Sequence, residues 1–168
     1  MTKAYNIALV GILSAVNVSS RVAFQFLPNI KPVTSIVMLT AMFFGLYVAV
    51  QVVVTTTLLS GVLLGLGPYV LFQIAAWVVI ALATAAIHRC VKQKSILLYT
   101  LWAGLCGFVF GFVVSLEKLL YGWAFFLAYY VAGLPFDGLH ALGNLLFFPI
   151  CYFALSPVFK RANHTARR

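Results

Sequence analysis

Long apolar stretches, separated only by short breaks, run through almost the entire chain. Of its 168 residues, 64% are hydrophobic and 8% are charged, whereas a soluble domain carries about 25% charged residues. A helix needs about 20 apolar residues to cross a bilayer, so about six such helices and their loops would use the whole length. We therefore expect an all-α membrane protein: one integral membrane domain over residues 1–168, a bundle of six transmembrane helices, with a basic cytoplasmic tail from about residue 160.

The breaks in the apolar sequence give the expected helix boundaries. A residue before proline is disfavoured in a helix, so Pro28 and Pro32 predict a structured but irregular outer loop over residues 24–35. Gly45 predicts a tight reversal after a short second span. Residues 117–137 are predicted to be a polar and aromatic segment between spans, and the tail is predicted to be disordered. The six predicted spans cover residues 4–22, 36–45, 48–64, 69–87, 96–116 and 138–159.

The basic residues predict the orientation of the bundle. The formal net charge is +9, which in a soluble protein would suggest a nucleic-acid partner. Here the charges lie in short loops and tails, where they set membrane orientation, so we expect membrane lipid and no nucleic acid around the chain. The positive-inside rule places both termini in the cytoplasm and both acids outside. The predicted inner side carries Lys3, Arg89, Lys92, Lys94, Lys160, Arg161, Arg167 and Arg168, and the outer side carries Arg21, Lys31 and Lys118.

Polar and aromatic residues concentrate on the predicted outer side, which favours a ligand pocket there. Tyr69, Gln73 and Trp77 are four residues apart and share one helical face. An aromatic belt at the membrane surface explains Tyr69, but an amide inside a membrane is costly without a partner. The candidate ligand-binding residues are Arg21, Asn29, Lys31, Tyr69, Gln73, Trp77, Tyr121, Trp123, Tyr129, Tyr130, Asp137, His140 and Asn144.

Asp137, His140 and Asn144 are spaced so that they share one face if Asp137 opens the sixth span. Asp is a good N-cap, which gives Asp137 an alternative structural role. Polar residues inside a membrane, such as His140 and Asn144, usually indicate a functional site or a polar network. Arg21 ends the first span, where it either snorkels to the membrane surface, braces the following loop or meets an anionic ligand group.

Gly11 and Ala15 have the small-xxx-small spacing that lets another helix approach closely. That helix belongs either to this chain or to a partner protein. Neither a nucleophile motif nor a phosphate-binding Walker A motif is present, and the three cysteines lack metal-site spacing. We therefore expect no catalytic residues, no metal site and no cofactor.

Residues 21–45 resemble the substrate-binding S components of energy-coupling factor (ECF) transporters. In that family an arginine ends helix one, a P-N-x-x-P-V-T loop follows, and a glycine ends a short helix two; here these are Arg21, Pro28-Asn29, Pro32-Val33-Thr34 and Gly45. Residues 65–77 and 134–144 are also similar to family members. The resemblance implies a six-helix bundle in a bacterial cell membrane that binds a vitamin from outside.

The resemblance also implies partners and a substrate. S components work with a transmembrane coupling protein and two cytoplasmic ATPases, and a helix-one A-x-x-x-A motif docks on the coupling protein. The matching positions are Gly11 and Ala15, with Gly in place of the first Ala. The overall similarity is greatest to cobalamin-type members of lactic acid bacteria, although no cysteine is expected at the outer pocket to ligate cobalt. Pantothenate, queuosine-type and folate substrates remain open. A stand-alone secondary transporter, which usually shows inverted repeats, and a membrane scaffold are the alternatives.

Overall fold

A computed structural model describes residues 2–92 and 95–165. Across these residues the chain forms six α-helices, one 3-10 helix and no strand, so the prediction of an all-α bundle is confirmed. The helices are α1 (Lys3–Ala23), α2 (Val33–Phe44), α3 (Leu46–Leu64), α4 (Tyr69–Cys90), α5 (Ile96–Ser115), the 3-10 helix (Leu116–Tyr121) and α6 (Trp123–Thr165).

Five helical segments have the length and apolar composition to cross a membrane: α1, α3, α4, α5 with the 3-10 helix, and α6. The chain is therefore a multi-pass membrane protein. The sixth helix, α2, has 12 residues and is about 18 Å long, shorter than the roughly 30 Å hydrocarbon core of a bilayer.

The short helix α2 forms the centre of the bundle. Residues 33–41 are all buried, and α2 contacts each of the other five α-helices. Its side chains Val37, Met38 and Leu39 are fully buried in one core with residues of the surrounding helices. Because a helix enclosed by protein needs no lipid-facing surface, α2 can be both short and apolar on all sides.

The ends of α2 follow from backbone chemistry. Gly45 has a φ of 88°, a conformation that favours glycine, and it joins α2 directly to α3, as predicted. At the other end α2 begins at Val33, three residues before the predicted start. Proline suits the start of a helix because its missing N–H would have no partner there, so Pro32 is the N-cap of α2 and the last residue of the loop. The loop before α2 is therefore residues 24–32.

The structure corrects the prediction for the last third of the chain. The sixth helix was expected to begin at residue 138, but α6 begins at Trp123, directly after Gly122, and contains Pro135, Pro149 and Pro157. Proline removes one helical hydrogen bond, but water is absent from a membrane interior, so unravelling the helix there would cost more than keeping it. The 43-residue α6 is about 65 Å long and extends beyond a bilayer.

The basic tail was predicted to be disordered, and this is wrong for residues 160–165, which continue α6. Two long-range hydrogen bonds hold this part of the helix. Tyr5 Oη donates to the carbonyl of Ala162 at 2.9 Å, and Asn163 Nδ2 donates to the carbonyl of Phe43 at 2.8 Å. Lys94, Arg167 and Arg168, which entered the orientation prediction, lie outside the described residues.

Helices α5 and α6 approach each other closely through glycines. Gly104, Gly107 and Gly111 recur at helical spacing on the face of α5 that meets α6. A Cβ atom on Gly107 would overlap the backbone of Ala141, so only glycine permits this separation. The close approach brings Asp137 of α6 against Gly111, near the C-terminal end of α5.

Candidate functional site

Two adjacent cavities occupy one end of the bundle. That end is formed by the loop over residues 24–32, the start of α4, the end of α5 and the first half of α6. The larger cavity has a volume of about 460 Å³ and the smaller one about 70 Å³. Asn29, Gln73 and Phe110 line both cavities and therefore form the boundary between them.

Aromatic side chains and small residues shape the larger cavity. Tyr69, Tyr129, Phe110 and Phe136 provide aromatic surface, and Gly111, Ala132 and Gly133 leave the space between them open. The volume lies within the roughly 300–1,000 Å³ typical of small-molecule sites. A mostly apolar wall with a few polar groups is also typical of such sites.

Asp137 is the charged residue of the larger cavity. It is 6% exposed, and its carboxyl group lies directly over Gly111 of α5. Within residues 2–92 and 95–165, its carboxyl group has neither a hydrogen bond nor a salt bridge. The interpretation of Asp137 as an N-cap is wrong, because α6 has already run for several turns before it. The shared face predicted for Asp137, His140 and Asn144 is present, and all three residues are buried.

A chain of contacts crosses four helices beside the smaller cavity. Arg21 Nη2 donates to Gln73 Oε1 at 3.1 Å, and the guanidinium carbon lies 5.1 Å from the centroid of the Trp77 ring, a cation–π distance. Trp77 Nε1 donates to Thr34 Oγ1 at 3.1 Å. Thr34 Oγ1 lies 3.0 Å from His140 Nε2. The chain links α1, α4, α2 and α6 and fixes the orientation of each side chain in it.

Thr34 joins Trp77 to His140 through one hydroxyl group. The hydroxyl accepts a hydrogen bond from Trp77 Nε1 and still has a proton to donate and a second lone pair, so its contact with His140 Nε2 fits either neutral tautomer of the imidazole. Among the described residues, His140 Nδ1 is buried without a hydrogen-bond partner. Phe110 packs against the imidazole edge to face, with ring centroids 5.0 Å apart.

The smaller cavity is positively charged. Arg21 and Lys31 both line it, and no acidic residue does. Burial and the nearby positive charge of Arg21 both lower the pKa of Lys31. Arg21 uses Nη2 for its bond to Gln73, while its Nη1 is buried without a hydrogen-bond partner in the described part of the chain. The two acids of the chain lie elsewhere, Asp137 in the larger cavity and Glu117 in a 3.2 Å salt bridge with Lys118.

Nine of the thirteen residues predicted to bind ligand line the two cavities: Arg21, Asn29, Lys31, Tyr69, Gln73, Trp77, Tyr129, Asp137 and His140. The other four do not. Tyr121 and Trp123 are 59% and 65% exposed, Tyr130 stacks on Phe126, and Asn144 is fully buried and donates to the carbonyl of Ala103 at 2.9 Å.

Sequence reasoning missed the contribution of α5 to the larger cavity. Phe110, Gly111 and Ser115 line it, but they lie in a stretch that looks uniformly apolar. The regular spacing of Gly104, Gly107 and Gly111 was the available signal for a close helix contact. Thr34 was also missed as the residue that joins Trp77 to His140. No group of three or more His, Cys, Asp or Glu side chains that could hold a metal ion occurs in the described part of the chain.

The two small residues predicted for partner docking lie on the surface of α1. Gly11 and Ala15 are both exposed, and a Cβ atom on Gly11 would meet no atom within 4 Å. A shallow groove of about 490 Å³ runs beside Gly11 between α1 and α3. This face of α1 is therefore not used for close packing against another described helix.

Comparisons with known proteins give one match. The model of a family described as "Family of unknown function (DUF6580)" matches residues 2–165. No curated protein and no solved structure matches the chain.

Proposed function

The chain belongs to the DUF6580 family, and we propose that it is the substrate-capture S component of an ECF-type transporter in a bacterial cell membrane. In this role it binds a vitamin or related micronutrient for ATP-driven uptake. The resemblance over residues 21–45 supports the proposal. So does one structural observation: two adjacent cavities, rich in aromatic and buried polar groups, occupy a single end of the bundle.

The position of the cavities supports capture from outside the cell. The opposite end of the bundle carries most of the described basic residues, and the positive-inside rule assigns such an end to the cytoplasm. The cavities then face outward. Those basic residues are Lys3, Arg89, Lys92, Lys160 and Arg161.

The proposed partners are a transmembrane coupling protein and two cytoplasmic ATPases. The sequence has no Walker A motif, so ATP hydrolysis belongs to the partners and the chain itself is not an enzyme. The exposed face of α1 around Gly11 and Ala15 supports this assembly, because small residues let a partner helix approach closely.

The cavity volume bears on the substrate. Cobalamin is the substrate that the resemblance predicts, but a corrinoid is several times larger than the ligands that a 460 Å³ cavity encloses. Cobalamin would therefore require the outer end of the bundle to open. The volume favours a smaller micronutrient, such as pantothenate or a queuosine-type base.

The test separates binding from energised transport. The purified chain in liposomes should bind its ligand without accumulating it. ATP-dependent accumulation should require the subunits that co-purify with the tagged chain from its native membrane. Accumulation by the chain alone, driven by an ion gradient, would support a secondary transporter instead.

A further inference from the structure

We propose that the ligand of this site is a small dipolar metabolite, with a cationic nitrogen at one end and a carboxylate or phosphate at the other. This inference rests on the proposed function and specifies its substrate class. It derives from the separation of opposite charges between the two adjacent cavities: Asp137 lines the larger one, and Arg21 and Lys31 line the smaller one.

The larger cavity suits a cationic group. Asp137 is buried and has no partner within the described ranges, and a buried carboxylate is costly until a cation or a donor meets it. Tyr69 and Phe110 line the same cavity, and the faces of aromatic rings attract cations. The ring of Tyr129 already has the ammonium of Lys118 at 4.9 Å from its centroid. Lys118 does not act as the counter-ion of Asp137, because it already forms a salt bridge with Glu117.

The smaller cavity suits an anionic group. Arg21 and Lys31 bring two positive charges into it without an acid. Among the described residues, Arg21 Nη1 and His140 Nδ1 are both buried without a hydrogen-bond partner. A guanidinium group matches the oxygens of a carboxylate or phosphate, and the imidazole nitrogen can donate a hydrogen bond when it carries the proton. The volume of about 70 Å³ has room for one such group but not for a ring system.

The charges are kept apart by residues that are themselves held in place. Gln73 Oε1 is engaged by Arg21. Asn29 has a φ of 58° and donates from Nδ2 to the carbonyl of Phe136 at 3.3 Å. These two amides and Phe110 stand between the cavities. If the charges served only the fold, a direct salt bridge would neutralise them at lower cost than two separate buried charges. A ligand with two opposite charges would satisfy both cavities at once.

The experiment measures binding to the detergent-solubilised chain with probes that differ in charge but share a scaffold. Pyridoxamine 5′-phosphate and thiamine monophosphate are dipolar, pyridoxamine and thiamine lack the phosphate, and benzyl phosphate keeps an aromatic ring and the phosphate but has no nitrogen. Pantothenate, riboflavin and cyanocobalamin complete the panel. We expect the tightest binding from a dipolar probe, with a loss of about tenfold or more when either charged group is removed.

Two substitutions assign the charges to the cavities. Asp137→Asn should weaken a dipolar probe about tenfold or more and leave its amine-free analogue unaffected. Arg21→Gln should weaken the phosphate-bearing probe and leave its phosphate-free analogue unaffected. Glu117→Gln, a matched acid-to-amide change at the other acid of the chain, should change neither.

Two outcomes overturn different claims. If the tightest ligand carries one charge or none, and binds Asp137→Asn as well as wild type, the dipolar inference is wrong while substrate capture stands. If no probe binds and no small molecule co-purifies with the folded chain, the proposed function fails as well.

Discussion

The carboxyl group of Asp137 on α6 lies directly over Gly111 on α5, in space that only a residue without a side chain leaves open. This single relationship makes α5 part of the candidate site. It sets the depth at which the carboxyl group enters the larger cavity. It also means that the most apolar-looking helix of the chain helps to determine the charge distribution of the cavity.

Gly111→Ala should therefore displace Asp137. The new Cβ would overlap the carboxyl group, so either Asp137 rotates into the cavity or α5 and α6 move apart. We expect weaker ligand binding and a lower melting temperature of the solubilised protein. Gly138→Ala is the matched control, because a Cβ there meets no atom within 4 Å and alanine favours helix by about 1 kcal/mol over glycine. Equal behaviour of the two variants would mean that Asp137 is not held against α5.

Thr34→Val should destabilise the protein by about 1–3 kcal/mol, the cost of leaving buried polar groups unpaired. The change keeps the volume but leaves Trp77 Nε1 and His140 Nε2 without their recorded partner. Thr40→Val is the control on the same buried helix, because Thr40 donates only to the carbonyl of Ile36 within α2. Thermal unfolding followed by tryptophan fluorescence compares them. A Thr40 variant as unstable as the Thr34 variant would show that the chain of contacts contributes little.

Gly11→Trp and Ala15→Trp should abolish uptake while preserving ligand binding by the isolated chain. Both positions are exposed, and the space around Gly11 is open, so the added ring does not disturb the bundle itself. Its effect depends on a partner helix that must approach closely. Leu101→Trp, at an exposed position on α5, is the control. Normal uptake by both α1 variants would exclude this face as the docking surface.

The orientation can be tested by labelling single cysteines in intact cells. Cys90 is exposed, so the labels are introduced into a cysteine-free variant. A membrane-impermeant maleimide should label Lys31→Cys or Lys118→Cys from outside, and should reach Lys92→Cys only after the cells are permeabilised. Labelling of Lys92→Cys in intact cells would reverse the proposed orientation.

Structural features that depend on a single helix could be predicted from the sequence. Apolar stretches between breaks predict five long helices and the short α2, and the spacing of Tyr69, Gln73 and Trp77 predicts a shared face. The start of α6 was missed because the polar and aromatic residues of 117–137 were interpreted as a segment between spans. Gly122, with a φ of 114°, was the better signal.

Features that depend on several helices could not be predicted. The contact between Asp137 and Gly111 requires α5 and α6 to pair in one register. The contact from Trp77 through Thr34 to His140 requires three helices to converge. The glycine spacing on α5 indicates a close helix contact, but it does not say which helix meets that face or in which register.

Native mass spectrometry tests the central claim of substrate capture most directly. The wild-type chain, the Asp137→Asn variant and the Glu117→Gln variant are each purified from the membranes of the cells that produce them. We predict that a small molecule with one cationic and one anionic group remains bound to the wild-type chain. We also predict that Asp137→Asn loses it and that Glu117→Gln keeps it. A folded wild-type chain that carries no small molecule and binds none on titration would contradict the account.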